Sequence, residues 1–142
     1  MKSIKKPLRI TGLLFILILL FSLGSCDMFI NWFGTSIEGR VDAFDDDLSA
    51  GNYSSLYKHF HSDTEDRVEM KNESTTFWNL TSIGPNAGTS RITNYSSGDT
   101  VTGNINNSNG DFSFSMDMKK DGMEYYIRTL KIGSSPEIRK LD

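Results

Sequence analysis

The stretch DFSFSMDMKKDGMEYYIRTLKI, residues 111–132, decides the fold. Large apolar residues occupy every second position of its first half: Phe112, Phe114, Met116 and Met118. This period of two is typical of a β-strand with one apolar face. The dipeptide Asp121-Gly122 follows, and such pairs supply the positive φ that a two-residue hairpin turn needs. The stretch therefore predicts two antiparallel strands joined by a hairpin.

The same pattern continues toward the N-terminus. Val101 and Ile105 alternate with polar residues, and turn signals stand at Gly98-Asp99 and Asn109-Gly110. Spacings of 11 and then 12 residues between the turn signals suit one strand plus one turn. We expect a four-stranded antiparallel meander with strands at about 89–96, 100–107, 111–119 and 123–132. In the last strand, strict alternation places Met123, Tyr125 and Ile127 on one face and Tyr126, Leu130 and Ile132 on the other.

The residues before the predicted sheet favour helices. A capping box at Thr35 and Glu38 predicts a helix start, and apolar residues then recur at helical spacing: Ile37, Val41, Phe44 and Leu48. Gly51 is a natural stop, and Asn52 is a candidate cap for a second helix with Tyr53, Leu56, Tyr57 and Phe60 on one face. A third helix is predicted from Ser74 through Trp78. Helices followed by an antiparallel sheet define an α+β fold, with the helices packed on a bent meander sheet after a signal peptide.

The N-terminal quarter of the chain has a different character. Four basic residues (Lys2, Lys5, Lys6 and Arg9) precede an apolar run of 14 residues from Ile10 to Leu23, shorter than the roughly 20 that a membrane-spanning helix needs. The run ends in Leu23-Gly24-Ser25-Cys26, which contains the only cysteine. This order of features resembles the signal peptide and lipobox of bacterial lipoproteins. An uncleaved membrane helix is the alternative, which the carboxylate of Asp27 disfavours because charge inside lipid is costly.

The lipoprotein resemblance implies a diacylglycerol thioether on Cys26, cleavage after Ser25 and acylation of the new amino terminus. It divides the chain into a signal peptide (1–25), the lipidated cysteine with a short tether (26–34) and one domain (35–142). Extended, residues 27–34 reach roughly 26 Å at about 3.3 Å each. The resemblance places the protein in a bacterial cell envelope, held to a membrane on its non-cytoplasmic side, and leaves open which membrane that is.

The charge of the mature chain limits its partners. Cleavage removes four of the 15 basic residues and none of the 18 acidic ones, which leaves 11 against 18 and a net charge of −7. This balance argues against nucleic acid as a partner and against docking by charge onto anionic lipid. Once Cys26 is lipidated no thiol remains, so cysteine catalysis and disulfides are excluded. We predict no cofactor.

Two further segments carry a second resemblance. FDDDLSAGNYSSLYKHFHSD at 44–63, followed by TFWNL at 76–80, is similar to the helical start of the nuclear-transport-factor-2-like superfamily, including small bacterial lipoproteins within it. The resemblance implies a cone-shaped domain whose open end forms an apolar pocket. Members of the superfamily include isomerases, dehydratases, binding modules and accessory domains, so the fold does not define the function.

The residues that would line such a pocket are large and mostly aromatic: Phe44, Tyr57, Phe60, Trp78, Phe112, Phe114, Met116, Tyr125 and Ile127. The same residues are also the natural core of a domain of this size. Enzymes of the superfamily often use an Asp–His or Asp–Tyr pair inside the cone, and no pattern places an ionisable side chain among these aromatics. Asp117 is expected on the opposite face of its strand.

Two groups of polar residues contain side chains that can bind a metal ion, but the spacing within each group does not support a metal site. On a helix His59 and His61 point about 200° apart, so they are expected to be partly solvated rather than metal ligands. The acidic run Asp42, Asp45, Asp46 and Asp47 lacks the spacing of a calcium loop and is expected to form a solvated helix face.

The sequence therefore favours a membrane-anchored, non-enzymatic module that binds an envelope protein or a small apolar ligand. An isomerase- or dehydratase-like enzyme acting on a small hydrophobic substrate is the alternative, as is a structural accessory of a membrane complex.

Overall fold

The structure is a computed structural model that describes residues 34–133. The predicted signal peptide, Cys26 and residues 27–33 of the tether lie outside the described residues, as do residues 134–142. Residues 35–133 belong to one compact unit that begins at Thr35.

Three α-helices precede four strands, so the predicted α+β class is confirmed. The helices are α1 (Ile37–Ser49), α2 (Arg67–Asn72) and α3 (Ser74–Asn79), and short 3₁₀ helices cover Leu56–His59 and Pro85–Ala87. The strands are β1 (Arg91–Ser96), β2 (Thr100–Asn107), β3 (Gly110–Asp121) and β4 (Glu124–Ile132). Helix α2 had no counterpart in the sequence prediction, whereas α3 lies where the third helix was expected.

The sheet is the predicted antiparallel meander, with neighbours in the order β1-β2-β3-β4. Asp121 pairs with Glu124, so the last turn has Gly122 and Met123 at its centre, one residue later than the predicted dipeptide. Gly122 has a φ of 61°. A positive φ at the first central position is what a type II′ hairpin turn requires, and glycine adopts it without a steric penalty.

A bulge changes the face assignment of β4. Met118 pairs with Ile127 and Asp117 pairs with Thr129, so Arg128 is the extra residue on β4. The predicted placement of Ile127 and Leu130 on opposite faces is therefore wrong, because one additional residue reverses the alternation. Both side chains are fully buried in the same core.

Helix α1 begins one residue later than the capping box suggested. The Oγ of Ser36, rather than that of Thr35, accepts a hydrogen bond from the Gly39 amide at 3.0 Å. At the other end Gly51 has a φ of 72°, and its amide donates to Leu48 O while the Asn52 amide donates to Asp47 O. These two bonds form a Schellman motif, which confirms Gly51 as the stop.

The predicted helix that starts at Asn52 is wrong. Turns cover this segment, and only Leu56–His59 forms a 3₁₀ helix. The Asn52 amide side chain donates to Asp47 Oδ1 at 3.2 Å, and its backbone carbonyl accepts from Ser55 N at 2.8 Å. Such local bonds of asparagine and serine compete with helix formation. Phe60 then leaves the turn and makes a parallel bridge with Ile127 on β4.

The core lies between α1, the Leu56–Phe60 segment and the sheet. Its largest fully buried members are Trp78, Phe44, Phe60, Leu48, Leu56, Met70, Ile83, Ile105, Met116, Ile127, Leu130 and Ile132. Two features cover the outer edge of β4. Beside the Phe60 bridge, the His61 amide donates to Ile127 O at 2.9 Å, and Arg40 of α1 donates to Tyr125 O. The helices are thus held against the last strand of the sheet.

Candidate functional site

The edge of the apolar stripe of α1 carries two polar side chains. Arg40 lies three residues after Ile37, and Asp47 lies three residues after Phe44. Because residues three and four apart share a helix face, both side chains are turned toward the body of the domain. The sequence reasoning did not single out Arg40 or Asp47 in this way, although the spacing was visible.

Asp47 forms a pair with His59. Its Oδ2 lies 2.8 Å from His59 Nε2, and the reversal of the chain at Gly51 brings the two residues together. Because an ionised carboxylate only accepts, the Nε2 atom carries the proton in this bond. The Nδ1 atom of the same ring is buried and has no hydrogen-bond partner. An Asp–His pair with one unengaged ring nitrogen has the composition of an acid–base catalyst.

The environment of His59 keeps its imidazole neutral. His59 is 6% exposed and His61 is 5% exposed. The expectation that the two histidines are partly solvated is therefore wrong. Burial lowers the pKa of His59, and the hydrogen bond that His59 donates to Asp47 opposes that shift without overcoming it. A neutral ring that donates through Nε2 has a lone pair on Nδ1, so Nδ1 is an unsatisfied acceptor. An unpaired buried acceptor costs about 1–3 kcal/mol.

The His59 ring borders the aromatic part of the core. It meets Phe44 edge to face at 5.9 Å between centroids, and Phe44 lies 6.1 Å from Phe60 and 6.5 Å from Trp78. The Nε1 of Trp78 is a second buried polar atom without a partner. The aromatic cluster of Phe44, Phe60 and Trp78 therefore has an unengaged donor from Trp78 and, beside it, an unengaged acceptor on His59.

The structure places the nine predicted pocket residues in and around this core. Six are buried: Phe44, Phe60, Trp78, Phe114, Met116 and Ile127. Three are partly exposed: Tyr57, Phe112 and Tyr125. The buried ones pack against one another, and the role of the set as a pocket lining stays a prediction. Described residues also form two surface clefts of about 270 and 280 Å³, neither of which is lined by any of the nine.

The acidic run of α1 is only partly a solvated face: Asp42 and Asp46 are exposed as expected, whereas the expectation is wrong for Asp45 and Asp47, which are partly buried. Besides Asp47, Asp45 Oδ1 accepts from the Ile92 amide at 2.6 Å, and Asp42 Oδ1 accepts from the Tyr95 hydroxyl at 2.9 Å. Burial raises the pKa of Asp45. Burial, followed by the bond to Asp42, raises the pKa of Tyr95 to about 12. These carboxylates attach α1 to the edge strand β1, and the smaller surface cleft lies between them.

A second polar cluster joins α1 to the start of β4. Arg40 Nε donates to Tyr125 O at 2.7 Å, and its guanidinium lies 4.6 Å from the centre of the Tyr126 ring. Glu124 accepts from both Arg40 and the Tyr126 hydroxyl, and the latter bond raises the pKa of Tyr126. Arg40 is 9% exposed, and its guanidinium contacts the Tyr125 carbonyl, the Glu124 carboxylate and the Tyr126 ring. This cluster is therefore a structural joint between α1 and β4.

Asp117 lies where the alternation of β3 predicted. Its carboxylate accepts from Thr100 Oγ1 at 2.9 Å and Thr129 Oγ1 at 2.7 Å, across both neighbouring strands. These bonds, the one from Thr129 first, lower the pKa of Asp117. Asp117 therefore ties three strands together on the face that does not carry Phe114 and Met116.

Residues 34–133 contain no group of three or more His, Cys, Asp or Glu side chains placed to hold a metal ion. Within the same residues, none of the helices has the length and apolar character that crossing a bilayer demands. The chain matches no protein-family model, no curated protein and no solved structure. Its function must therefore be argued from its own residues.

Proposed function

We propose that this chain is a lipid-anchored bacterial envelope protein whose nuclear-transport-factor-2-like domain acts as a non-enzymatic interaction module. The observation that carries the proposal is the order of features along the chain. A basic segment, a short apolar run and Leu23-Gly24-Ser25-Cys26 come directly before a compact unit that starts at Thr35. This order is what a tethered domain requires, because the tether must end where independent folding begins.

The packing of the core supports an interaction role over ligand enclosure. Phe44, Phe60 and Trp78 have no exposed surface. A ligand would reach them only if the core opened, and opening would expose large apolar surface at about 25 cal/mol per Å². Binding at the outer surface needs no such opening. The clefts beside α1 and the strand surfaces are the part of the domain that a partner meets first.

Lipidation is tested on the full chain in a bacterial host. Cys26→Ser should abolish incorporation of labelled fatty acid and block removal of residues 1–25, because cleavage follows lipidation of the cysteine. Ser25→Ala is the matched control, because it keeps a small residue at the position before the cysteine and should be processed normally. Globomycin should make the uncleaved precursor accumulate. Normal processing in the presence of globomycin, or incorporation of labelled fatty acid into Cys26→Ser, contradicts the proposal.

A second candidate function rests on one observation, the Asp47–His59 pair beside Phe44. The pair provides what an acid–base enzyme needs, a buried imidazole with one engaged and one unengaged nitrogen. Phenol is a suitable probe because it is apolar and donates one hydrogen bond. In ¹⁵N spectra of the protein, phenol should move the Nδ1 resonance of His59 if the site admits a small substrate, and His59→Gln should lose that resonance. An Nδ1 signal that stays fixed at saturating phenol counts against an enzyme at this site.

A further inference from the structure

The hairpin between β3 and β4 extends beyond the rest of the sheet. Thr100, the first residue of β2, pairs with Asp117, and the Asp99 carbonyl still reaches Met118 N at 3.2 Å. Among the described strands, only β4 pairs with residues 119–121. Three residues at about 3.4 Å each make this projecting tip roughly 10 Å long. We call residues 119–123 the hairpin tip.

The domain receives its tether beside this tip. The Thr35 carbonyl accepts a hydrogen bond from the Tyr125 amide at 3.0 Å, so the first residue of the domain is fixed to the base of the hairpin. Arg40 strengthens the same joint by donating to the Tyr125 carbonyl at 2.7 Å. Only one residue separates Tyr125 from Met123. Chain continuity therefore brings the tip and the point of tether entry to the same end of the domain.

The length of the tether limits how far this end can lie from a bilayer. Residues 27–34 span at most roughly 26 Å when fully extended, and an ordinary flexible chain spans less. The opposite end of the sheet, at the turn between β2 and β3, is separated from the tip by the length of β3. That strand has 12 residues, or about 40 Å at 3.4 Å each. The tip is consequently the end that a lipid on Cys26 keeps near the headgroups.

The side chains of the tip suit the surface of an anionic bilayer. Met123 is 61% exposed, a large fraction for a methionine in a domain with a packed core. Lys120 is exposed, and its Nζ atom lies 5.6 Å from the centre of the Tyr125 ring, so the ammonium group rests beside the ring and remains open to solvent. Lys119 is held by Asp63 at 2.5 Å. Asp121 is exposed and opposes binding, which limits the contact to the side that carries Met123 and Lys120.

From these observations we infer that the hairpin tip is a bilayer-contact surface, with Met123 at the depth of the headgroups and Lys120 beside lipid phosphates. The inference rests on the proposed lipid anchor. It assigns the domain a fixed face: the tip faces the lipid, and the turn between β2 and β3 faces away. The attraction of one lysine to an anionic surface is modest. The tip therefore contacts the bilayer only because the lipid anchor keeps the domain at a high local concentration beside it.

The test uses the full lipidated protein in vesicles of phosphatidylethanolamine and phosphatidylglycerol. Cys26 is the only cysteine of the chain and is blocked by its lipid, so Met123→Cys introduces a single free thiol for an environment-sensitive nitrobenzoxadiazole label. Asn109→Cys, at the exposed turn between β2 and β3, is the matched control. Lys120→Cys is a second labelling site on the tip, and circular dichroism confirms that each variant is folded.

The expected result is a blue shift of the label at positions 123 and 120 on reconstitution, with quenching by spin-labelled lipid headgroups, and neither effect at position 109. Replacing phosphatidylglycerol by phosphatidylcholine should weaken the quenching at position 123, because the Met123→Cys variant keeps Lys120. Vesicle-bound protein with equal, unshifted labels at all three positions overturns the inference and leaves the anchor intact. Protein that does not float with the vesicles, although its tag shows that it was made, overturns the anchor and the inference together.

Discussion

Replacement of Arg40 by methionine tests the joint between α1 and β4. The change keeps the apolar stem and removes the guanidinium, which leaves the Tyr125 carbonyl without its 2.7 Å donor. A hydrogen bond from a charged donor contributes about 1.5–3 kcal/mol, and the stacking on Tyr126 at 4.6 Å contributes about 1 kcal/mol more. The pair with Glu124 adds between about 0 and 1 kcal/mol, because that carboxylate side chain is 42% exposed. We expect Arg40→Met to lower the free energy of unfolding by about 3 kcal/mol.

Urea unfolding of the protein in detergent, followed by far-ultraviolet circular dichroism, measures this loss. Arg91→Met is the matched control, because Arg91 is 70% exposed and lies 3.9 Å from Asp45. Its loss should stay within about 0.5 kcal/mol. The slope of free energy against urea should be the same for both variants, since neither changes the area buried. A loss for Arg40→Met no larger than that of the control refutes the reasoning, because it means that the buried guanidinium contributes nothing net.

Three other changes probe separate parts of the fold. The pKa of His59 is lowered in the folded state, so the unfolded chain binds the proton more readily. Stability should therefore fall as the pH drops below about 6.5, and His59→Gln should flatten that part of a plot of urea midpoint against pH. A Cβ on Gly103 would lie 2.2 Å from Asn94 O, so Gly103→Ala should cost about 3 kcal/mol in urea unfolding, and a loss under about 1 kcal/mol contradicts this geometry. Ser36→Ala should cost about 1 kcal/mol and Thr35→Ala close to nothing, and the reverse order of melting temperatures would restore the cap predicted from the sequence.

The sheet could be predicted from the sequence because its determinants are local. Alternation along β3 and glycines near the turns each act within a few residues, so the strand order and most strand ends follow from reading the chain in one direction. The bulge at Arg128 is different, since nothing in the residues of β4 alone specifies the extra residue. It is set by the pairing with β3 and by the need to bury Ile127 and Leu130 together. Face assignments beyond the bulge therefore failed although the strand itself was correct.

The Asp47–His59 pair could not be predicted for a related reason. The two residues lie 12 positions apart, and only the Schellman turn at Gly51 brings them to 2.8 Å. Treating residues 52–60 as a regular helix placed His59 on a solvated surface, whereas the 3₁₀ segment turns it inward against Phe44. The helical spacing on α1 did indicate that Asp47 faces inward, since it follows Phe44 by three positions. An inward acidic side chain requires a partner, and the sequence holds two histidines shortly after it.

The buried polar side chains of Arg40 and His59 differ in how completely their hydrogen-bonding atoms are paired. This difference indicates a structural role for Arg40 and a candidate functional role for His59. Arg40 donates to a carbonyl and a carboxylate and stacks on a ring, so its burial is compensated on every side that the structure describes. His59 is buried to a similar degree with one nitrogen unengaged, at a cost that an apolar ring at the same position would avoid. A domain selected only for stability has no reason to keep that cost. If surface binding is the whole role of the domain, an apolar ring at position 59 should leave that binding intact; if the imidazole acts on a bound molecule, the same change should abolish the activity.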